Sequence, residues 1–184
     1  VYLEHSELNC ILVSCKFTMK NINFIKCESD SQLKEAAGLA DIIWHEYVPF
    51  LLSEDQINYM VEKFQSYQAM KDQIQKQNYT YYQIHLDDQL VGYMGLALES
   101  SSLFISKLYL RKEGRNQGIS RLAFEKIKEI AKENQKEKLY LTCNKYNTHS
   151  LDMYNHWGFQ RVDSVVTDIG KGYVMDDYIL EDKL

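Results

Sequence analysis

The sequence predicts a single α/β domain built on a central mixed sheet, and three observations carry that prediction. Through the second half of the chain, β-forming runs alternate with amphipathic helical runs, the pattern of parallel strands joined by helical crossovers. Before them, Asp87-Asp88 separates two strand-like runs and marks a hairpin, which adds antiparallel pairing. The chain has 184 residues, one proline (Pro49), and no repeat or low-complexity linker, so no seam divides it.

The elements follow in order. Residues 23–27 read as a short first strand. Residues 31–47 read as a helix with Ser31 as its cap, because Leu33, Ala36, Ala37, Ala40, Ile43 and Trp44 recur at helical spacing. Ser53 caps a second helix, with Ile57, Met60, Val61 and Phe64 on one face and Glu54 and Asp55 at its electropositive start. Residues 69–77 make a third, short helix. Residues 79–86 and 89–98 are the hairpin arms, and residues 103–110 form the next strand. Residues 118–133 are a strong helix with Ile119, Leu122, Ala123, Ile127 and Ile130 on one face. Residues 139–143 are a short buried strand, which places Cys143 in the core. Residues 148–156 are helical, and residues 159–166 and 173–180 close the sheet, with glycines around Lys171 as their turn.

Composition excludes several classes. The formal net charge of −5 leaves no basic excess to neutralise phosphates, so no nucleic-acid partner is expected. No apolar run reaches the length of a membrane span. The four cysteines (Cys10, Cys15, Cys27 and Cys143) form no CxxC pair, and no histidine cluster has zinc spacing. Free thiols in a reducing cytoplasm and no metal are the expectation. Glu4 and Glu7 precede the short apolar segment at residues 10–13, where a secretory leader carries positive charge. Met19-Lys20-Asn21 looks like a natural start, so residues 1–18 read as an upstream extension or a cloning remnant.

The most informative stretch is Leu108-Tyr109-Leu110-Arg111-Lys112-Glu113-Gly114-Arg115-Asn116-Gln117-Gly118-Ile119-Ser120. It runs from strand to polar loop to helix start and presents unpaired amides at a helix N-terminus. Such amides, with the helix dipole, attract phosphate. Gly118 lets the backbone approach an anion closely, Ser120 adds a small hydroxyl, and Arg111, Lys112 and Arg115 add positive charge. The same residues also suit a plain strand–helix connection on a solvated basic face. A Walker loop is excluded because no GK[ST] follows the glycines, and a dinucleotide fingerprint because GxGxxG is missing.

Two blocks match one family. Residues Arg115 to Ser120 resemble the [Q/R]-x-x-G-x-[G/A] motif of the GCN5-related N-acetyltransferases (GNAT), in which this loop holds the pyrophosphate of coenzyme A. Asn116 stands where glycine is frequent, Ser120 replaces the final small residue, and Lys112 occupies a common proline position. Asn147-Thr148-His149-Ser150-Leu151-Asp152-Met153-Tyr154-Asn155-His156-Trp157-Gly158-Phe159 is similar to the family's later block, N-x-x-[A/S]-x-x-x-Y-x-x-x-G-F, at every fixed position. Asn147 and Tyr154 lie two helical turns apart and share a face, and Gly158 stands where glycine ends helices.

The resemblance implies a GNAT-like domain over residues 19–184. Its central twisted mixed sheet has six to seven strands, is flanked by helices, and is splayed between the fourth and fifth strands. Acetyl-CoA, the acyl-donor cosubstrate, is then expected in that gap. Leu108, Tyr109 and Leu110 pair with its pantetheine arm, Arg115, Asn116, Gln117, Gly118, Ile119 and Ser120 hold its pyrophosphate, and Asn147 assists. An acceptor amine attacks the thioester directly, and Tyr154 protonates the leaving thiolate; the plainer role for Tyr154 is a core aromatic. A lysine-like amine has a pKa of about 10.4, so neutralising it at pH 7 costs about 4 to 5 kcal/mol, and a general base helps. Glu99, at a strand end, is the first candidate and His85 the second. Trp44, Tyr47 and Asp176 are the expected acceptor contacts; Asp177 beside Asp176 suits an amine equally, and a solvated strand edge also explains both. The acceptor is a primary amine of a small molecule or peptide, and homodimers are common in the family. A catalytically silent acyl-CoA-binding module is the competing reading.

Overall fold

The structure is a computed structural model that describes residues 21–184. The expected extension at residues 1–18, Cys10 and Cys15 within it, and the start at Met19 lie outside the described residues.

Seven strands form one sheet in the order β1-β2-β3-β4-β5-β7-β6. They are β1 (Ile22–Lys26), β2 (Tyr79–Leu86), β3 (Gln89–Leu98), β4 (Ser102–Leu110), β5 (Lys138–Asn144), β6 (Gln160–Gly170) and β7 (Tyr173–Lys183). Every pairing is antiparallel except that of β4 with β5. The mixed α/β sheet expected from the sequence is therefore the observed one. The helices are α1 (Asp30–Tyr47), α2 (Glu54–Met60), α3 (Tyr67–Gln77), α4 (Ile119–Glu133) and α5 (Thr148–His156).

The parallel pairing is short. Ser102, Leu103 and Phe104 face Lys138, Leu139 and Tyr140, and the ladder stops there. Beyond it β4 stays bonded to β3 as far as Leu110, and β5 stays bonded to β7 as far as Asn144. Each strand is thus held on its outer side and free on its inner one, and the sheet opens as a V. At the opening, Gly95 faces Lys107 and Leu96 faces Ile105, so Ser106 is an extra residue in β4. A bulge of this kind bends its strand, here at the point where β4 leaves β5.

Apolar layers cover both faces. On one, Phe124, Ile127 and Ile130 of α4 pack with Met94, Leu103, Leu139 and Leu141, and the Phe124 ring stacks on Trp157 at 4.9 Å. On the other, Leu33, Ala36, Ala40 and Ile43 of α1 pack with Met70, Tyr81 and Tyr93. The α2 region joins Trp44, Val48, Ile57 and Met60 to Ile169.

Several sequence expectations shift. The cap of α1 is Ser29, not Ser31: Ser29 has extended backbone angles and its hydroxyl accepts from the Gln32 amide, while the Gln32 side chain returns to the Ser29 amide. Ser31 already lies inside the helix. Helix α3 begins two residues earlier than expected, with Ser66 as its cap. Val61 and Phe64 belong to a π-helical stretch, Val61–Gln65, that follows α2. Leu122 is 47% exposed, and the buried face of α4 instead includes Phe124 and Ala131. Strands β6 and β7 run longer than their apolar residues indicate, because mutual backbone pairing, not burial, extends them.

Two glycines test this packing with opposite signs. A Cβ on Gly92 would lie 2.5 Å from Leu110 Cδ2 and 2.6 Å from the Tyr109 carbonyl oxygen, so the β3–β4 pairing must shift. A Cβ on Gly38, exposed within α1, meets nothing within 4 Å. Urea unfolding should find Gly92→Ala destabilised by about 1–3 kcal/mol and Gly38→Ala stabilised by about 0.5–1 kcal/mol.

Candidate functional site

The open end of the V is a cavity of about 980 Å³ that runs from the loop before α4 to the walls made by α1 and α2. From Ile105 onward the free edge of β4 faces this space without a strand partner. Bare strand edges present hydrogen-bonding groups to whatever enters.

The loop owes its shape to two left-handed residues. Lys112–Gly114 is a 3₁₀ turn, after which Asn116 (φ 58°) and Gly118 (φ 75°) turn the chain into α4. Asparagine tolerates that conformation, and glycine adopts it without cost. The start of α4 also differs from the other helices. Ser29, Ser53, Ser66 and Asn147 each cap a following helix with a side-chain oxygen, whereas Gly118 offers α4 none. The first amides of α4 therefore donate to no cap side chain, an arrangement that suits an anion.

Leu108, Tyr109, Leu110, Arg115, Asn116 and Ser120 line the cavity, as do Asn147 and Tyr154. Gln117, Gly118 and Ile119 do not. Ile119 is buried in the core beside Ile84, the Gln117 side chain donates to the Glu113 carbonyl, and Gly118 contributes its backbone angle. Arg115 Nε donates to the Leu110 carbonyl at 2.9 Å, and its guanidinium lies 4.6 Å from the Tyr47 ring centroid. Arg111 is tied to Glu46 (3.6 Å) and Glu113 (3.4 Å), which neutralise much of its charge.

Asn147 accepts from the Ser150 amide at 3.3 Å and receives the Tyr47 hydroxyl at 3.5 Å. Tyr154 is fixed edge-on between Trp157 and Phe159. Burial, then the nearby Cys143, Tyr109 and Tyr47, push its phenol well above the usual tyrosine range, so it is a protonated donor at any physiological pH. Burial and the Asp177 charge push the Cys143 thiol up to about 12, which makes it a poor nucleophile near pH 7.

The acceptor contacts divide. Trp44 and Tyr47 line the cavity, Trp44 packing against Tyr109 at 5.6 Å between ring centroids. Asp176 does not; its carboxylate pairs with Lys145 at 2.5 Å on the other face of β7. Asp177, the next residue, does line the cavity and is buried. Of the two neighbouring aspartates, alternation along the strand turns Asp177 toward the cavity. Burial, then the charge of Asp176, push the Asp177 carboxyl up to about 6, opposed by Lys145.

Neither expected base reaches the cavity. Glu99 lies at the closed end of the V, where its carboxylate accepts from Ser102 Oγ (2.8 Å) and Tyr140 Oη (2.5 Å). His85 lies on β2 against Gln83 at 2.9 Å. The sequence reading also missed Lys107, a buried cavity residue of β4. Its signal was a lone charge inside an apolar strand, which the bulge at Ser106 hid by breaking the alternation.

Among the described residues, no group of three or more histidine, cysteine, aspartate or glutamate side chains is placed to hold a metal ion, and no helix is long and apolar enough to cross a membrane.

A sequence model of the acetyltransferase (GNAT) domain matches residues 51–174. No curated protein matches the chain in sequence. Among solved structures, the fold is similar to PaiA N-acetyltransferase from Thermoplasma acidophilum in complex with coenzyme A. That likeness has a TM-score of 0.75 at 20% identity over 89% of this chain and 99% of that one. A GCN5-related N-acetyltransferase from Rhodopseudomonas palustris gives 0.72 at 11% identity over 91% and 97% of the two chains. A GNAT-family acetyltransferase from Elizabethkingia anophelis with acetyl-CoA bound gives 0.57 at 16% over 89% and 99%.

Inorganic pyrophosphate should shift the NMR amide signals of residues 116–120 in a saturable titration. Valine cannot hold the left-handed angle of Gly118 without strain, so Gly118→Val should weaken that titration by about tenfold or more.

Proposed function

Since the chain belongs to the acetyltransferase (GNAT) domain family, we propose that it moves an acetyl group from acetyl-CoA to a primary amine of a small molecule or peptide by direct attack. One observation carries the reading: the gap between β4 and β5 opens continuously onto an α4 start that lacks a side-chain cap. An elongated donor with a diphosphate at one end and a thioester at the other suits such a space. The diphosphate meets the first amides of α4, with Arg115, Asn116 and Ser120 around it. The pantetheine arm lies along the free edge of β4 at Leu108, Tyr109 and Leu110, as an added strand would. A β4 amide near the bulge polarises the thioester carbonyl.

In the chemical step the amine nitrogen bonds to the carbonyl carbon, the tetrahedral intermediate collapses, and the carbon–sulfur bond breaks. Tyr154 gives its proton to the departing sulfur, and the proton that the acylated nitrogen sheds returns to the Tyr154 oxygen, leaving amide, thiol and a neutral phenol. We assign the base that removes the ammonium proton to Asp177 in place of Glu99, because Asp177 lines the cavity and Glu99 does not. Trp44 and Tyr47 form the aromatic part of the acceptor wall. The proposal includes a reducing, cytoplasmic setting, in which Cys27 and Cys143 stay thiols.

A thiol-release assay with acetyl-CoA against a panel of amines tests the activity. Tyr154→Phe should lower kcat by about 10²- to 10⁴-fold while coenzyme A affinity, by calorimetry, stays the same. Coenzyme A binding without release for any amine would instead identify a silent acyl-CoA-binding module.

The pH profile tests the base. Asp177 takes a proton only when ionised, and its carboxyl is raised to about 6. The ionised form is lost as pH falls through that value, so kcat/KM should drop about tenfold per pH unit below about 6. Asp177→Asn should remove that acid limb; an unchanged limb would rule out this assignment.

A further inference from the structure

Lys107 is 4% exposed, yet it borders the cavity. Its ammonium reaches Gln73 Oε1 at 3.3 Å and Ser106 Oγ at 3.2 Å, both neutral and both distant for a charged donor. The Gln73 oxygen is shared, since the Tyr81 hydroxyl also donates to it. The rings of Tyr79 and Tyr81 lie 5.1 and 5.6 Å from the nitrogen. No carboxylate among the described residues lies within ion-pair distance. Asp72, which borders the same cavity, is occupied by Lys76 at 2.9 Å and Gln68 at 2.9 Å.

Burying a cation without a counter-charge is costly, and a lysine so placed gives up its proton readily unless an anion joins it. We propose that the acceptor amine also carries an anionic group, carboxylate or phosphate, and that Lys107 receives this group inside the cavity. The inference rests on the acetyltransferase reading above and narrows its acceptor. Asp177, on the far side of the gap, faces the amine, so Lys107 and Asp177 give the acceptor end of the cavity a buried group of each sign, apart from Arg115 at the α4 end and Lys63 on the Ile169 carbonyl. Plain polyamines are disfavoured, because they bring further positive charge toward an uncompensated ammonium.

The electrostatics agree. Burial alone pulls the Lys107 ammonium down to about 7, and no charged neighbour contributes. The titratable groups that face it, Tyr79 and Tyr81 of β2, are themselves raised by burial and are neutral there; Gln73 of α3 and Ser106 of β4 do not titrate. An incoming anion favours the charged amine, so binding near pH 8 draws a proton from solvent.

The test compares matched acceptors on the full chain: alkylamines, ω-amino acids and phosphoryl-amines of equal length, and polyamines. The expected result is a kcat/KM at least tenfold higher for one anionic series, with carboxylate and phosphate arms naming which. Lys107→Met should raise KM for that series at least tenfold more than for the matched alkylamines, and Lys107→Arg should restore the preference. Calorimetry of the coenzyme A-loaded protein in two buffers of different ionisation enthalpy should show extra proton uptake for the anionic series only. Equal or better turnover of alkylamines or polyamines overturns the inference and leaves the acetyltransferase reading intact. So does a Lys107→Met variant that loses kcat equally for all acceptors, which marks a role in the chemical step. Absence of thiol release from every amine sinks the acetyltransferase reading itself.

Discussion

Everything at the site depends on the parallel ladder between β4 and β5 ending after Phe104 and Tyr140. A strand pair normally continues while both backbones run side by side. Here β3 pulls β4 one way and β7 pulls β5 the other, and the extra residue Ser106 supplies the bend. Antiparallel pairing on the outer sides keeps both strands rigid while their inner sides stay open. The result is a space with a backbone edge on one wall. Tyr109 shows how tightly the space is bounded: it stacks on Tyr93 at 5.5 Å, packs against Trp44, and still borders the cavity.

The sequence showed most of the scaffold because the scaffold rests on local signals. Alternation gave β2 and β3, helical spacing gave α1 and α4, and the Asn147-to-Phe159 block gave the cap, the tyrosine and the terminating glycine together. Where local signals compete, the reading slipped. Ser29 and Ser31 are both acceptable caps by type, and only the reciprocal reach of Gln32 decides between them. Leu122 fits the helical stripe but faces solvent, because the buried stripe of α4 turns toward Phe124 and Ala131. The cavity itself was harder to read. Asp176 and Asp177 are identical in chemistry, and one strand step decides which is buried. Glu99 was expected near the cleft because it ends a strand, but the strand end that opens is the other one. Lys107 escaped notice because a bulge shifts it relative to the residues around it.

The electrostatic character of the cavity is unusual for so acidic a chain. Most of its lining is aromatic, aliphatic or amide, and the tyrosines that border it are mostly raised by burial and stay neutral. Of the charges near it, Arg111 is paired with Glu46 and Glu113 and Asp72 with Lys76, while Lys63 and Arg115 rest on the neutral carbonyls of Ile169 and Leu110.

The bare start of α4 has a thermodynamic consequence. A side-chain cap is worth about 1 kcal/mol over alanine but only a few tenths over glycine, so Gly118 leaves α4 slightly less secured than its neighbours. Under the proposed function, a bound diphosphate adds to the stability of that turn, and by linkage its concentration sets how often the turn opens. With that occupant scarce, the turn opens more often and its amides exchange faster with solvent.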